Sequence, residues 1–268
     1  MMENLNDKVV IITGASEGIG RSLSIKFAEH KAKVVLSARN EKRLNELKNQ
    51  IESSGGTALV VPTDVTDINS CENLIRTTIN FYGHIDILVN NAGRTMWADF
   101  EEIKEISIFK NLMELNYLGS VYCTYHALPY LKKTKGQIVG VSSVAGLSGV
   151  PSRTAYSASK HAMFGFFDSL RIELKDTGIS VTMIAPDFVL SEMHRRALDA
   201  SGKPLGKSPM QESKIMTSEQ CADLIFQSIM KRDRLLITSL RGKLVRWIKL
   251  IAPDVVDRLA AKAIKDAK

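Results

Sequence analysis

The sequence predicts an α/β fold: a doubly wound parallel β-sheet of about seven strands flanked by helices, with an amphipathic helical extension at the C-terminus. Three observations predict it. Short runs rich in β-branched residues, apolar on both faces, suit strands covered on both sides. They alternate with segments of helical periodicity, which calls for right-handed crossovers between parallel strands. A glycine-rich turn stands between the first strand and the first helix, where such sheets bind ligands.

The elements follow in order. KVVIIT at 8 to 13 is the first strand, and Leu23, Phe27 and Ala28 mark the apolar face of the helix after it. KVVLSA at 33 to 38 precedes a second helical pattern, Leu44, Leu47, Lys48 and Ile51. ALVVPT at 58 to 63, IDILVN at 85 to 90, QIVGVSS at 137 to 143, SVTMIA at 180 to 185 and LLIT at 235 to 238 complete the set. The longest irregular stretch, Asp187 to Met216, contains ASGKPLGKSPMQES. A loop of that length in a compact domain is usually a lid or a binding loop. There is no internal repeat and no Pro/Gly/Ser linker, so residues 1–240 are expected to form one domain, followed by a tail, 241–268.

With 268 residues, 44% of them hydrophobic, the chain can bury a substantial core. No apolar run reaches the roughly 18 residues of a membrane span, and the start lacks signal-peptide architecture, so a cytoplasmic protein is expected. Cys71, Cys123 and Cys221 are far apart in sequence and odd in number, which argues against a disulfide framework and predicts buried, reduced thiols. His30, His84, His126, His161 and His194 lack ligand spacing, and no metal is expected. From Lys231 to Lys268 there are 11 Lys and Arg against 4 Asp and Glu, a surplus equal to the whole net charge of +7. The remainder is neutral and carries no nucleic-acid motif, so no nucleic-acid partner is expected.

The first strand ends in TGASEGIG, Thr13 to Gly20. Gly14, Gly18 and Gly20 permit a tight turn and close approach of a pyrophosphate to unpaired helix N–H groups. At the end of the second strand, a unit that binds NAD(H) usually carries an acid for the ribose 2′-hydroxyl. Here Ala38 and Arg39 stand there, which favours a 2′-phosphate and hence NADP(H) over NAD(H). In TAYSASKHA, Tyr156 and Lys160 lie four apart, on one face of a helix.

TGASEGIG, NNAG ending at Gly93, ELNYLGS around Asn116, GQIVGVSS ending at Ser143 and Tyr156-x-x-x-Lys160 together resemble the classical short-chain dehydrogenase/reductase family over residues 5 to 240. The resemblance implies a Rossmann-like fold, an enzyme interconverting a carbonyl and an alcohol by hydride transfer, and a catalytic tetrad of Asn116, Ser143, Tyr156 and Lys160. Tyr156 would be the proton donor, and a fixed ammonium at Lys160 would favour its phenolate. Ser143, thirteen before the tyrosine, would hydrogen-bond the reacting oxygen, with Ser142 as the alternative register. By resemblance Lys160 also binds the nicotinamide ribose, Asn116 holds a water linking Lys160 to solvent, and Ser16, Ile19, Asp64, Asn90, Gly93, Val189 and Ser191 contact the cofactor. A homo-oligomer, dimer or tetramer, is implied as well. Two departures stand out: Pro186-Asp187 where the family often has Pro-Gly, and Glu17 where NADP-preferring members often have a basic residue. A catalytically idle NADP-binding sensor or scaffold is the alternative reading of the fold.

Met96, Trp97, Phe188, Met193 and Leu198 are expected to line the pocket and predict an apolar, lipid-like carbonyl or alcohol substrate. In the tail, Leu244, Trp247, Ile248 and Ile251 form an apolar stripe opposite Arg246 and Lys249; after Pro253, Val255, Val256, Leu259 and Ala263 begin a second. Such helices dock on protein or on an anionic membrane surface, and the second would place the protein peripherally at a membrane.

Overall fold

The structure, a computed structural model, describes residues 5–208 and 215–265. Among them one parallel sheet contains β1 (Val9–Thr13), β2 (Lys33–Ala38), β3 (Thr57–Pro62), β4 (Ile87–Asn90), β5 (Gln137–Val141), β6 (Ser180–Ala185) and β7 (Leu235–Ile237). The spatial order is β3-β2-β1-β4-β5-β6-β7. Helices α1 (Gly18–Glu29), α2 (Glu41–Ser53) and α8 (Ser218–Met230) cover one face. Helices α3 (Ile68–Tyr82), α5 (Gly119–Thr134) and α6 (Thr154–Glu173) cover the other. Short helices α4 (Ser107–Met113) and α7 (Glu192–Arg195) precede α5 and α8, and the tail forms α9 (Leu240–Ile251) and α10 (Pro253–Lys265).

The alternation of side chains along a strand explains why β1 is apolar throughout. Val10 and Ile12 join the core of Leu23, Phe27, Leu44 and Phe226, whereas Val9 and Ile11 join that of Leu74, Cys123 and Phe167. Phe27 is fully buried with its ring 5.2 Å from that of Phe226. Truncating it to Ala would cost about 3–5 kcal/mol. The helix ends are set locally: the Asn40 side chain accepts from the Arg43 N–H at the start of α2, and Thr217 and Gln220 form a capping box on α8.

The chain runs outward from β1 to β3, crosses back to β4 beside β1, and then runs the other way. That reversal opens a crevice at the C-terminal strand ends between β1 and β4. The expected lid closes over it. It carries α7 and is pinned by bridges pairing Met96 with Leu198, Leu198 with Pro204, and Val189 with Met216. Residues 209–214 of this stretch lie outside the described residues.

Cys71, Cys123 and Cys221 are buried free thiols, as the sequence predicts. Cys71 and Cys123, 52 positions apart, meet across α3 and α5 with their sulfurs 3.5 Å apart, although both are free thiols. In the tail, the α9 stripe does not dock on the domain: Trp247 is 64% and Ile251 88% exposed, with only Ile248 half-buried. α9 is held at buried Gly242, which packs closely on Ile237 and Val144, and along its polar rim. Asp187 accepts from Arg241 (2.7 Å) and Ser239 (2.6 Å), and Lys249 donates to the Leu147 carbonyl (3.1 Å). Pro253 opens α10, where its missing N–H costs no hydrogen bond. Val256 is buried, Val255 and Leu259 are exposed, and the side chain of Ala263 lies outside the described set. No described helix is long and apolar enough to cross a membrane.

Candidate active site

A cleft of about 870 Å³ follows the crevice from the turn after β1 to the lid. Gly14 and Gly18 adopt φ of +67° and +55°, conformations that side chains resist. A Cβ on Gly20 would stand 2.3 Å from the Gly14 carbonyl oxygen. The turn therefore folds tightly onto the start of α1, whose first turn carries no acid. Its free N–H groups and dipole favour an anion there, and the cradle fits a dinucleotide pyrophosphate. Thr13 and Asn91 hold the turn. Thr13 Oγ1 accepts from the Asn91 and Ala92 N–H groups, and Asn91 Nδ2 donates to the Thr13 and Gly14 carbonyls (2.9 and 3.3 Å).

Most of the residues read from the sequence gather here. Gly14, Ser16, Gly18, Ile19, Arg39, Asp64, Gly93, Ser143, Tyr156, Lys160, Val189 and Ser191 line the cleft. Gly20 lies behind the turn. Asn90 does not reach the cleft: its side chain is buried and donates to Thr124 Oγ1 (3.0 Å), and the neighbouring Asn91 supports the turn instead. Met96 and Leu198 also turn inward, packing with Tyr156, Ile108 and Leu112, while Phe188 and Met193 do line the cleft.

Asn116 sits in a π-helical turn, Glu114–Leu118, between α4 and α5. Such bulges often mark functional positions. Its Nδ2 donates to the Arg94 carbonyl (3.0 Å) and to Ser159 Oγ (2.9 Å), and its Oδ1 accepts from the Arg94 N–H (2.8 Å). Both amide hydrogens are used, so its remaining capacity is on Oδ1, which faces Gly93. A Cβ on Gly93 would lie 3.0 Å from that oxygen and 3.4 Å from Lys160 Nζ.

Tyr156 and Lys160 occupy successive turns of α6 and are 6% and 3% exposed. Lys160 Nζ donates to the Val141 carbonyl (2.9 Å) and approaches Met163 Sδ (3.4 Å). Burial pushes its pKa down to about 7. Burial also raises the Tyr156 phenol, against the hydrogen bond with Ser143 and the charge of Arg153, which lower it. Ser143 and Arg153 are thus two groups that favour the phenolate. The lysine ammonium lies 5.9 Å from the centre of the tyrosine ring and bonds elsewhere. Ser143, not Ser142, is the serine beside the phenol; Ser142 Oγ donates to the Lys160 carbonyl.

The two departures from the family pattern have structural answers. Asp187 has no positive φ and needs no glycine; its carboxylate anchors the tail. Glu17 is turned between two arginines, 2.6 Å from Arg43 and 2.8 Å from Arg196. Sequence reasoning missed Arg43, Asn91, Arg153 and Arg196. Arg94 adds to this cationic wall: burial, then Arg39 and Arg196, hold its pKa below the ordinary value.

A family model described as short chain dehydrogenase matches residues 8–201. The dehydrogenase/reductase SDR family protein 7-like of Dictyostelium discoideum is 37% identical over 262 residues, 96% of this chain and 81% of that protein. The 11-beta-hydroxysteroid dehydrogenase-like 2 of Arabidopsis thaliana is 36% identical over 263 residues, 96% of this chain and 82% of that protein. Among solved structures, a short chain dehydrogenase/reductase from Burkholderia phymatum in complex with NAD superposes with a TM-score of 0.84 at 23% identity, covering 95% of this chain and 96% of that one. An alcohol dehydrogenase from Thermococcus sibiricus complexed with 5-hydroxy-NADP gives 0.74 at 24% identity, covering 86% and 95%. The seven-stranded parallel sheet agrees with the structural likenesses, and by the family model and these relatives the chain belongs to the short-chain dehydrogenase/reductase family.

Proposed function

We propose that the protein is an NADP(H)-dependent oxidoreductase that interconverts a carbonyl and a primary or secondary alcohol on an apolar-bodied substrate. One observation carries the reading: Ser143, Tyr156 and Lys160 line the same cleft as the glycine cradle. When bound there, the nicotinamide supplies or accepts the hydride. Tyr156 donates its proton to the substrate oxygen in reduction and recovers it in oxidation. Ser143 donates a hydrogen bond to the same oxygen as charge develops on it. Lys160, with a pKa near neutrality, can pass a proton toward the tyrosine side of the cleft, and Asn116 fixes the Arg94 backbone and faces Gly93.

Arg39 supports NADP(H). It is largely exposed at the rim, and among the described residues it has one ion pair, a long one to Asp64 at 3.9 Å. Glu17, which would repel a 2′-phosphate, is neutralised by Arg43 and Arg196. Phe188, Met193, Val150 and Ala145 on the lining support an apolar substrate body, as do the relatives named for hydroxysteroids. The test is purified protein with NADPH and a panel of lipid ketones and aldehydes, followed by loss of reduced-cofactor absorbance. Turnover faster with NADPH than with NADH is expected. Binding of NADPH with no turnover of any carbonyl would make the protein a sensor.

The tail, 241–268, is proposed to rest on an anionic membrane surface, at the cytoplasmic side. Supporting this, Leu244, Trp247, Leu250 and Ile251 are exposed together on a helix bearing Arg241, Lys243, Arg246 and Lys249. Each basic residue near such a surface adds about 1 kcal/mol. Co-sedimentation with anionic but not neutral vesicles, weakened by salt and lost when the chain ends before Arg241, is expected. A tail-dependent dimer that ignores anionic vesicles would assign the same face to the proposed homo-oligomer instead.

A further inference from the structure

Arg153 immediately precedes α6, one turn before Tyr156, and lines the cleft although it is only 5% exposed. Its guanidinium carbon lies over two rings, 4.5 Å from the centre of Trp97 and 5.2 Å from that of Phe188. Contacts of a cation with ring faces spend none of its N–H donors on a hydrogen-bond acceptor. Two of them, on Nε and Nη2, are buried and have no hydrogen-bond partner among the described residues. The carboxylate that influences it is Asp187, but that side chain is engaged elsewhere: Oδ1 accepts from Arg241 and the Phe188 N–H, and Oδ2 from Ser239.

A guanidinium buried only for structure would have its fork filled by carbonyls or a carboxylate, because leaving charged donors dry costs several kcal/mol. Burial lowers its pKa to about 10, so it stays charged at neutral pH. The phosphates of a dinucleotide are served by the Gly14–Gly20 cradle and by the Arg39 rim, whereas Arg153 packs with Trp97, Phe188 and Tyr156. We propose that Arg153 receives a carboxylate of the substrate, so that the enzyme acts on oxo acids or hydroxy acids whose apolar body fills the lid side of the cleft. The assignment deepens the oxidoreductase reading and rests on it for the reaction, but not for binding. With the carboxylate on Arg153, the carbonyl undergoing reduction lies within a few bonds of it, beside Tyr156.

Two measurements test this. In the first, protein saturated with NADPH, which can oxidise neither ligand, is titrated calorimetrically with decanoate and with decan-1-ol, for wild type, Arg153→Met and Arg153→Lys. Methionine keeps apolar volume beside the rings, and lysine keeps the charge without the fork. Wild type should bind decanoate at least about tenfold more tightly than the alcohol, as a charge-assisted pair implies. Arg153→Met should erase that ratio and Arg153→Lys restore part of it. In the second, kcat/KM is compared for 4-oxo fatty acids and their methyl esters, and the acid-to-ester preference should collapse in Arg153→Met. Wild type indifferent to the carboxylate, or a variant that loses acid and ester equally, overturns the proposal. Turnover of neutral ketones with no carboxylate preference would leave the reductase standing and remove this role. Carboxylate-selective binding lost in Arg153→Met, with no ketone reduced, would do the reverse.

Discussion

Replacing Lys160 with Met should make the protein more stable at pH 7 while abolishing its activity. In the folded chain Lys160 has a pKa of about 7, against an ordinary value of 10.5. Between those values the unfolded chain binds one more proton than the folded one, so wild-type stability rises with pH across the window. At about 1.36 kcal/mol per pH unit, the burial penalty is roughly 4 kcal/mol at pH 7 and falls to about 1 kcal/mol at pH 10. Methionine removes the penalty but strands the Val141 carbonyl, which now accepts from Nζ at 2.9 Å; that loss costs about 1–2 kcal/mol. The variant should therefore gain roughly 2–3 kcal/mol at pH 7 and little or nothing at pH 10. For a chain of this size, the gain at pH 7 corresponds to a Tm rise of about 4–5 °C. Thermal melts of both proteins at unit steps from pH 7 to 10 measure it, and the difference between them cancels every other titrating group. A Tm difference that is independent of pH, or a variant less stable at pH 7, would refute the burial argument.

Arg39→Ala should weaken NADPH by about 1.5–3 kcal/mol and leave NADH nearly unchanged, read by fluorescence titration of each reduced cofactor. Equal losses would remove Arg39 from the 2′-phosphate. Gly20→Ala drives a Cβ to within 2.3 Å of the Gly14 carbonyl oxygen. It should cost about 1–3 kcal/mol in urea denaturation and weaken both dinucleotides together; unchanged stability would mean that the turn is looser than described.

The strands and the motif residues were legible because both are local signals. KVVIIT is apolar on both faces since each face meets a helix layer, and the Tyr156–Lys160 spacing follows from one helical turn. What could not be read depends on residues that meet only after folding. Arg153 lies three positions before the tyrosine, but its burial is made by Trp97 and Phe188, which come from the loop after β4 and the end of β6. Glu17 stands where a basic residue is often found, and only the fold brings Arg43 from α2 and Arg196 from the lid to pair with it. Asn90 and Asn91 are indistinguishable by composition, and the pleat of β4 decides that Asn90 points to Thr124 while Asn91 reaches the glycine turn. The state of the phenol also depends on depth, because burial raises its pKa while Ser143 and Arg153 lower it, and none of this can be read from spacing.

Tyr156→Phe tests the proposed chemistry most directly, because it removes one oxygen and keeps the ring that packs against Met96, Ile108 and Leu198. Once a carbonyl substrate of the wild type is in hand, NADPH-dependent turnover and NADPH affinity are measured on both proteins. The expected result is a fall in kcat of about 10² or more, as loss of a general acid implies, with NADPH binding within about threefold of wild type. Turnover within a few-fold of wild type would contradict the assignment of Tyr156 as the proton donor, and with it the proposed chemistry of the cleft.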